Sequence, residues 1–232
     1  MSPGEVDLWD LRLPDRDDGD GLLDTSDLDD RERARAARFV SPRSRARYVA
    51  AHIALRRVLS TYLGLPAGEL AFGRDPCPGC GGPHGRPVLT GSGSVPHFSL
   101  SHSRGLAVVA VAATPVGVDV QYVPPARTVE RCAPALHPRE QTELAAVPEV
   151  RRPEAFARLW ARKEAYLKGI GTGLSRSPAA DYLGDDPRAH PLGWRVHDLT
   201  GHPAALALNS SAPPRPIPRT LRLPRRRPTS PA

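Results

Sequence analysis

Lysine is almost missing from this chain. Of its 32 basic residues, thirty are Arg and two are Lys, and both lysines, Lys163 and Lys168, fall within one nine-residue stretch. Arg is a permanently charged planar fork and Lys a compact charge whose pKa can be tuned, so two clustered lysines mark positions where Arg would not serve. Cysteine is scarce as well, at three in 232 residues, which excludes a disulfide scaffold. No basic segment followed by an apolar run opens the sequence, and a reducing, cytoplasmic setting is expected. No apolar run approaches the roughly 18–20 residues of a membrane span, so a soluble protein is expected. Acid is absent from residues 211–232, which hold six Arg; the net charge of +7 is therefore +1 for the body of the chain. A nucleic-acid reading cannot rest on that average.

The charge that is present comes in blocks. Residues 1–30 carry eleven acids against Arg12 and Arg16, and residues 31–57 carry nine Arg against Glu32. Such an arginine block either balances the acidic block or binds an anion such as a phosphate.

Residues 160–174 read Trp-Ala-Arg-Lys-Glu-Ala-Tyr-Leu-Lys-Gly-Ile-Gly-Thr-Gly-Leu. Residues 160–168 have helix-forming composition, and the Gly-rich run from Gly169 ends the helix. Trp160, Glu164 and Lys168 then share one face. That face is either an ordinary ion pair or a metal ligand beside a phosphate clamp.

In order along the chain, residues 6–13 alternate and predict a strand, 15–30 an acidic mobile loop, 29–39 a helix opened by carboxylates, and 44–63 a longer helix ended by Gly64. Residues 72–84 form a Gly/Pro/Cys loop with Cys77-Pro-Gly-Cys80 and His84. Cys-x-x-Cys is half a zinc site, and a tight loop with two reduced thiols is the plainer reading. Residues 97–102 and 106–112 predict strands. Ser101-His102 reads as a polar turn, or as a catalytic pair lacking its third group. Residues 117–121, Gly-Val-Asp-Val-Gln, put Asp119 and Gln121 on one face. An aspartate between valines on a buried strand is costly unless it is paired or bound to a cation. Helices follow around 127–135, 138–146 and 153–168, with strands near Tyr182, at 194–199 and at 204–209. The Pro/Arg composition of 211–232 indicates a disordered tail.

Together, Gly117-Val-Asp-Val-Gln121 and Trp160-Ala-Arg-Lys-Glu-Ala-Tyr-Leu-Lys168 resemble the two signatures of the phosphopantetheinyl transferases. Gly85-Arg-Pro, Phe98-Ser-Leu-Ser-His-Ser103 and the arginine block, in that family's order, point to its larger, Sfp-type branch. The resemblance runs from about residue 4 to 209. It implies an α+β fold of two similar α/β halves related by a pseudo-twofold in one monomeric chain, residues 1–112 and 113–210, followed by the tail 211–232. It also implies Mg²⁺-dependent transfer of 4′-phosphopantetheine from coenzyme A to a serine of an apo carrier protein, releasing adenosine 3′,5′-bisphosphate.

Residue by residue, the resemblance makes Asp119 and Glu164 metal ligands, with Gln121 where many members have a third acid. Lys168 contacts the pyrophosphate, and Lys163 braces the helix. Glu140 matches an acid proposed to help deprotonate the carrier serine. Arg35, Arg47, Arg86, Ser101 and His102, with help from Arg31, bind the phosphates of coenzyme A. Neither a membrane nor a nucleic acid is expected as partner. Two alternatives stand beside this one: a zinc- and nucleic-acid-binding module built on Cys77, Cys80, His84 and the basic tail, and a transferase-like protein that has lost catalysis, with Gln121 as the symptom.

Overall fold

A computed structural model of the chain describes residues 2, 4–14, 23–91 and 96–223. Residues 15–22 of the loop expected at 15–30, the turn at 92–95 and the end of the tail at 224–232 lie outside them, and the rest of that loop is ordered as a 3-10 turn at Thr25–Asp27 followed by the N-cap Asp29. The strands expected at 106–112 and 204–209, both apolar and built of small residues, are the central strands of two sheets. β5 (Leu106–Ala112) lies between β4 (His97–Ser103) and β1 (Glu5–Arg12), antiparallel to both. β8 (Ala204–Asn209) lies between β6 (Val116–Val120) and β7 (Trp194–Leu199), again antiparallel. A central strand covered on both faces needs no polar side, which is why neither run alternates.

Each sheet carries a long helix whose ends are written in the sequence. α2 (Pro42–Leu63) starts with the Ser41 hydroxyl capping the Ser44 amide and stops at Gly64, whose φ of +67° is left-handed. It buries Leu55, Val58 and Leu59 against Phe98, Val109 and Val111 of the first sheet. α5 (Arg152–Ile170) ends at Gly171, φ +82°, two residues beyond the expected stop. It packs Ala161, Ala165 and Leu167 against Ala205, Ala207 and Trp194. The sheets meet through a shared core of Val6, Val108, Ala110, Val118, Val120 and Leu206. The seam is also polar: Ser99 Oγ accepts the Val118 amide at 3.0 Å and Ser101 Oγ accepts the Val120 amide at 3.2 Å. Serine hydroxyls of β4 thus satisfy the edge of β6 that faces away from β8.

Gly117 fixes how closely α5 lies on β6. A Cβ there would sit 1.9 Å from the Ala165 carbonyl oxygen and 2.6 Å from the Gly169 amide nitrogen, both backbone atoms that cannot rotate away. Gly117→Ala must therefore push the helix off the strand. We expect a loss of about 1–3 kcal/mol in urea unfolding; unchanged stability would show that the helix shifts without cost.

α3 (Ala126–Cys132) and α4 (Pro138–Ala146) fall where their patterns place them. Two expectations need correction. Tyr182 is not in a strand; it sits in an irregular segment whose Leu183 amide and Tyr182 hydroxyl are bound by Glu140 and Glu143. The tail is not irregular from residue 211 either. Residues 215–220 form an edge strand, β9 (Arg215–Thr220), parallel to β1. The Arg215 and Leu221 amides donate to Gly4 and Asp10 carbonyls. That parity puts Pro216 and Pro218, which lack an N–H, on the outer side of an edge strand, where no donor is needed. Arg219 bonds Asp7 at 2.8 Å and lies over the Trp9 ring, so basic tail and acidic first strand neutralise one another. Among the described residues no helix is long and apolar enough to cross a membrane.

Candidate active site

The site begins at the seam. Asp119, on β6, is buried, and its carboxylate accepts from Ser101 Oγ at 2.8 Å, Gln121 Nε2 at 2.6 Å and Lys168 Nζ at 2.5 Å. A carboxylate taken out of water this far survives as an anion through such donors. Lys168 also reaches the Val118 carbonyl at 3.2 Å, bridging α5 to β6. Glu164, one turn earlier on α5, is half-buried and has no hydrogen bond or ion pair among the described residues. Burial, and then the Asp119 charge, push its carboxyl above the usual carboxylate range, against the pull of Lys168. Two carboxylates with one ammonium nearby leave a surplus of negative charge. An unpartnered oxygen donor, a second carboxylate and a neutral amide oxygen suit a hard divalent cation such as Mg²⁺. Rotating the Gln121 amide would present that oxygen in place of its N–H.

Above Asp119, Gln121 and Lys168 opens a cleft of about 1000 Å³, lined by β4 and β6, by the end of α5 and by α1 (Asp30–Ala37); Glu164 lies behind this lining rather than in it. Its far wall is basic. Arg31 and Arg35 project from α1, a helix with little apolar content of its own, held by a buried network. Asp29 and Glu32 form a capping box at its start. The fully buried Arg56 of α2 clamps both, at 2.7 Å to Asp29 and 2.6 Å to Glu32, and donates from Nη1 to the Ala67 and Leu70 carbonyls. His52 holds the other oxygen of Glu32 at 2.8 Å. The arginine block thus splits: Arg56 builds the wall, while Arg31 and Arg35 present charge to the cleft.

The remaining site residues sort by place. Arg86 lines the cleft, anchored by Asp75 at 2.9 Å and the Gly169 carbonyl at 3.3 Å. His102 lines it with an exposed edge. Crowding by neighbouring atoms, then the positive charges of His52, Lys168 and Arg47, hold its imidazole below the ordinary range, a sign of a positive field. Ser101 is buried and oriented toward Asp119, so in this arrangement it sets the carboxylate. Arg47 stands beside the cleft rather than in its wall, with its Nε on the Pro14 carbonyl at 3.3 Å. Arg74, Tyr48, Phe72 and Phe98 also line the cleft and were not picked from the sequence. Phe98 read as an ordinary strand residue and Phe72 as the start of the loop 72–84; instead residues 72–74 form β2 (Phe72–Arg74), paired with β3 (Pro87–Leu89), which brings Phe72 to the cleft.

Glu140 is the residue the structure sets apart. It is fully buried on α4 and does not line the cleft. Its oxygens take the His137 amide at 3.0 Å, the Leu183 amide at 2.6 Å and the Lys163 ammonium at 2.6 Å. With both oxygens engaged and no water-facing edge, it is a brace between α4, α5 and the 181–183 segment. Lys163, also buried, is the brace expected of it, and also donates to the Asp181 carbonyl.

Comparison with known proteins follows the same residues. The family model described as the 4'-phosphopantetheinyl transferase superfamily matches residues 115–207, which include Asp119, Glu164 and Lys168. The 4'-phosphopantetheinyl transferase HetI of Nostoc sp. is 36% identical over 179 residues, covering 74% of this chain and 71% of that protein. A putative 4'-phosphopantetheinyl transferase of Synechocystis sp. is 29% identical over 151 residues, 64% of this chain and 58% of that one. The 4'-phosphopantetheinyl transferase Sfp of Bacillus subtilis is 24% identical over 144 residues, 62% of this chain and 60% of its own. The signatures read from the sequence, the α+β fold and the extent of these matches lead to one conclusion: the chain belongs to the 4'-phosphopantetheinyl transferase superfamily.

Proposed function

We propose that this chain transfers 4′-phosphopantetheine from coenzyme A to a serine of an apo carrier protein, with Mg²⁺, releasing adenosine 3′,5′-bisphosphate. The observation that carries the reading is the pair Asp119 and Lys168 on the floor of a cleft with an arginine wall, with the half-buried Glu164 within electrostatic reach of both. Asp119 and Glu164 would hold the metal, with Gln121 contributing its amide oxygen or a bound water. When bound, Mg²⁺ neutralises charge on the pyrophosphate oxygens, as phosphoryl transfer requires.

The chain's own residues do the rest. Arg31, Arg35 and Arg47 bind the 3′-phosphate end, with the planar fork that matches phosphate. Arg86 and His102 flank the pyrophosphate path. Lys168 leaves Asp119 for the pyrophosphate and takes the charge that develops on the leaving phosphate as the carrier serine oxygen attacks the β-phosphorus and the bond to the α-phosphate oxygen breaks. A carboxylate oxygen of Glu164 accepts the serine proton. Glu140 acts at a distance, by holding Lys163 and so the seating of α5. The two halves, each with a long helix across three antiparallel strands, are taken as related by an approximate twofold, and the working form as a monomer.

The test is incubation with coenzyme A and Mg²⁺ against a panel of apo fatty-acid, polyketide and peptide carriers, read by intact mass. One added phosphopantetheine on at least one carrier is expected. No adduct on any carrier at any Mg²⁺ concentration would leave a transferase-like protein without turnover.

A further inference from the structure

Apart from Arg86 at its end, the loop between β2 and β3 takes no part in the transfer reaction, yet it is closed by hydrogen bonds of its own backbone. It gathers Cys77, Cys80 and His84 so that one ligand atom of each lies within 4.8 Å of the others. Cys80 Sγ and His84 Nε2 are 2.9 Å apart. In a tetrahedral zinc site with Zn–S near 2.3 Å, two sulfurs stand roughly 3.8 Å apart, so the three atoms already span the edges of such a polyhedron to within small side-chain rotations.

The backbone is folded to suit. The Gly81 amide bonds the Cys77 carbonyl at 2.7 Å, the Cys77 amide bonds the Gly82 carbonyl at 2.8 Å, and Gly81 takes the left-handed φ of +72° that closes the turn. Gly82 packs where a Cβ would meet His84 and Cys80, and Gly85 where one would meet the Asp75 carbonyl at 2.3 Å. In this shape Gly82 and Gly85 have no room for a side chain, and the shape brings two thiols and an imidazole together.

We propose that Cys77, Cys80 and His84 bind one zinc ion, with both thiols losing their protons to solvent and the fourth position left to water. Two thiolates and an imidazole select zinc over the hard cations suited to Asp119 and Glu164. The ion clasps the cleft's rim. Cys77 Sγ lies 3.5 Å from Ser175 Oγ, in the turn just after α5, and His84 lines the cleft next to Arg86. A metal here would fix the shape of the loop that carries Arg86 at the rim of the cleft.

The full-length protein, purified without an affinity tag or chelator, should carry one zinc per chain by plasma mass spectrometry. Replacement by Co²⁺ should give a thiolate-to-cobalt charge-transfer band, which an oxygen-ligand site cannot produce. Cys80 and His84 are exposed, so Cys80→Ser and His84→Ala should keep the wild-type circular dichroism spectrum. Each should weaken zinc by more than the roughly 10- to 100-fold that follows loss of an outer-shell partner. Chelation should lower Tm in the wild type and leave a Cys80→Ser/His84→Ala double variant unmoved. The proposal is overturned by wild-type protein that neither holds zinc nor gives the cobalt band, by a Cys77–Cys80 disulfide in protein purified under reducing conditions, or by equal zinc in the double variant.

Discussion

Asp119→Asn and Glu164→Gln each lower the transfer rate by roughly 10²–10³-fold or more, the scale on which loss of one element of transition-state charge stabilisation is felt, and Glu164→Gln at the same time raises the Tm of the metal-free protein. The two outcomes have one cause. Glu164 is half-buried, lacks a partner among the described residues and faces the Asp119 carboxylate. Its folded pKa is raised, so between the ordinary carboxylate range and that raised value the folded state holds a proton that the unfolded chain has lost. Stability falls as pH rises through this window, and the cost stands in full above it. The neutral isostere removes the cost. The Tm gap between variant and wild type should close at pH below the ordinary carboxylate range and open as pH rises through the window. Saturating Mg²⁺ with coenzyme A should raise the wild-type Tm and close the gap from the other side, because a ligand that binds only the folded state stabilises it. Full activity in both variants would remove the carboxylates from the metal site; an unchanged Tm in Glu164→Gln would show that its charge is relieved elsewhere.

How much of this was legible in the sequence depends on whether the signal was local. β5 and β8 could be read from composition, and α2 and α5 from their closing glycines, because propensity and capping act within a few residues. Asp119 was legible for a related reason: an acid between valines on a strand has no cheap explanation. The need for Gly117 was not, since it arises from the Ala165 carbonyl 48 positions away. β9 was hidden because Pro and Arg read as a coil. Strand formation depended on the parity of Pro216 and Pro218 against β1, which no window of sequence contains. The division of the arginine block was likewise invisible. Arg56 and Arg35 are the same residue type on neighbouring helices, and only packing buries one and exposes the other.

Glu140 is where local and distant signals conflict, and it carries the second large effect. Glu140→Gln and Lys163→Met are each expected to destabilise the protein by about 3–5 kcal/mol, the range for removing one partner of a buried ion pair. The side chains are 0% and 2% exposed, with 2.6 Å between them, so neither charge can turn to water when the other is lost. The pair is not a source of great stability in itself. Burial pulls the Lys163 ammonium down from its ordinary value, and the Glu140 contact that pulls it back is the smaller influence. A double replacement, Glu140→Leu with Lys163→Met, should therefore recover most of the lost stability even though it removes both charges. Activity then separates brace from base. If Glu140 works only by seating α5, the double variant regains transfer along with its fold, at an unchanged KM for coenzyme A. If Glu140 took the serine proton, the double variant would fold and stay inactive. The geometry favours recovery, since an oxygen that already accepts the Leu183 amide and the Lys163 ammonium has no face left for a substrate.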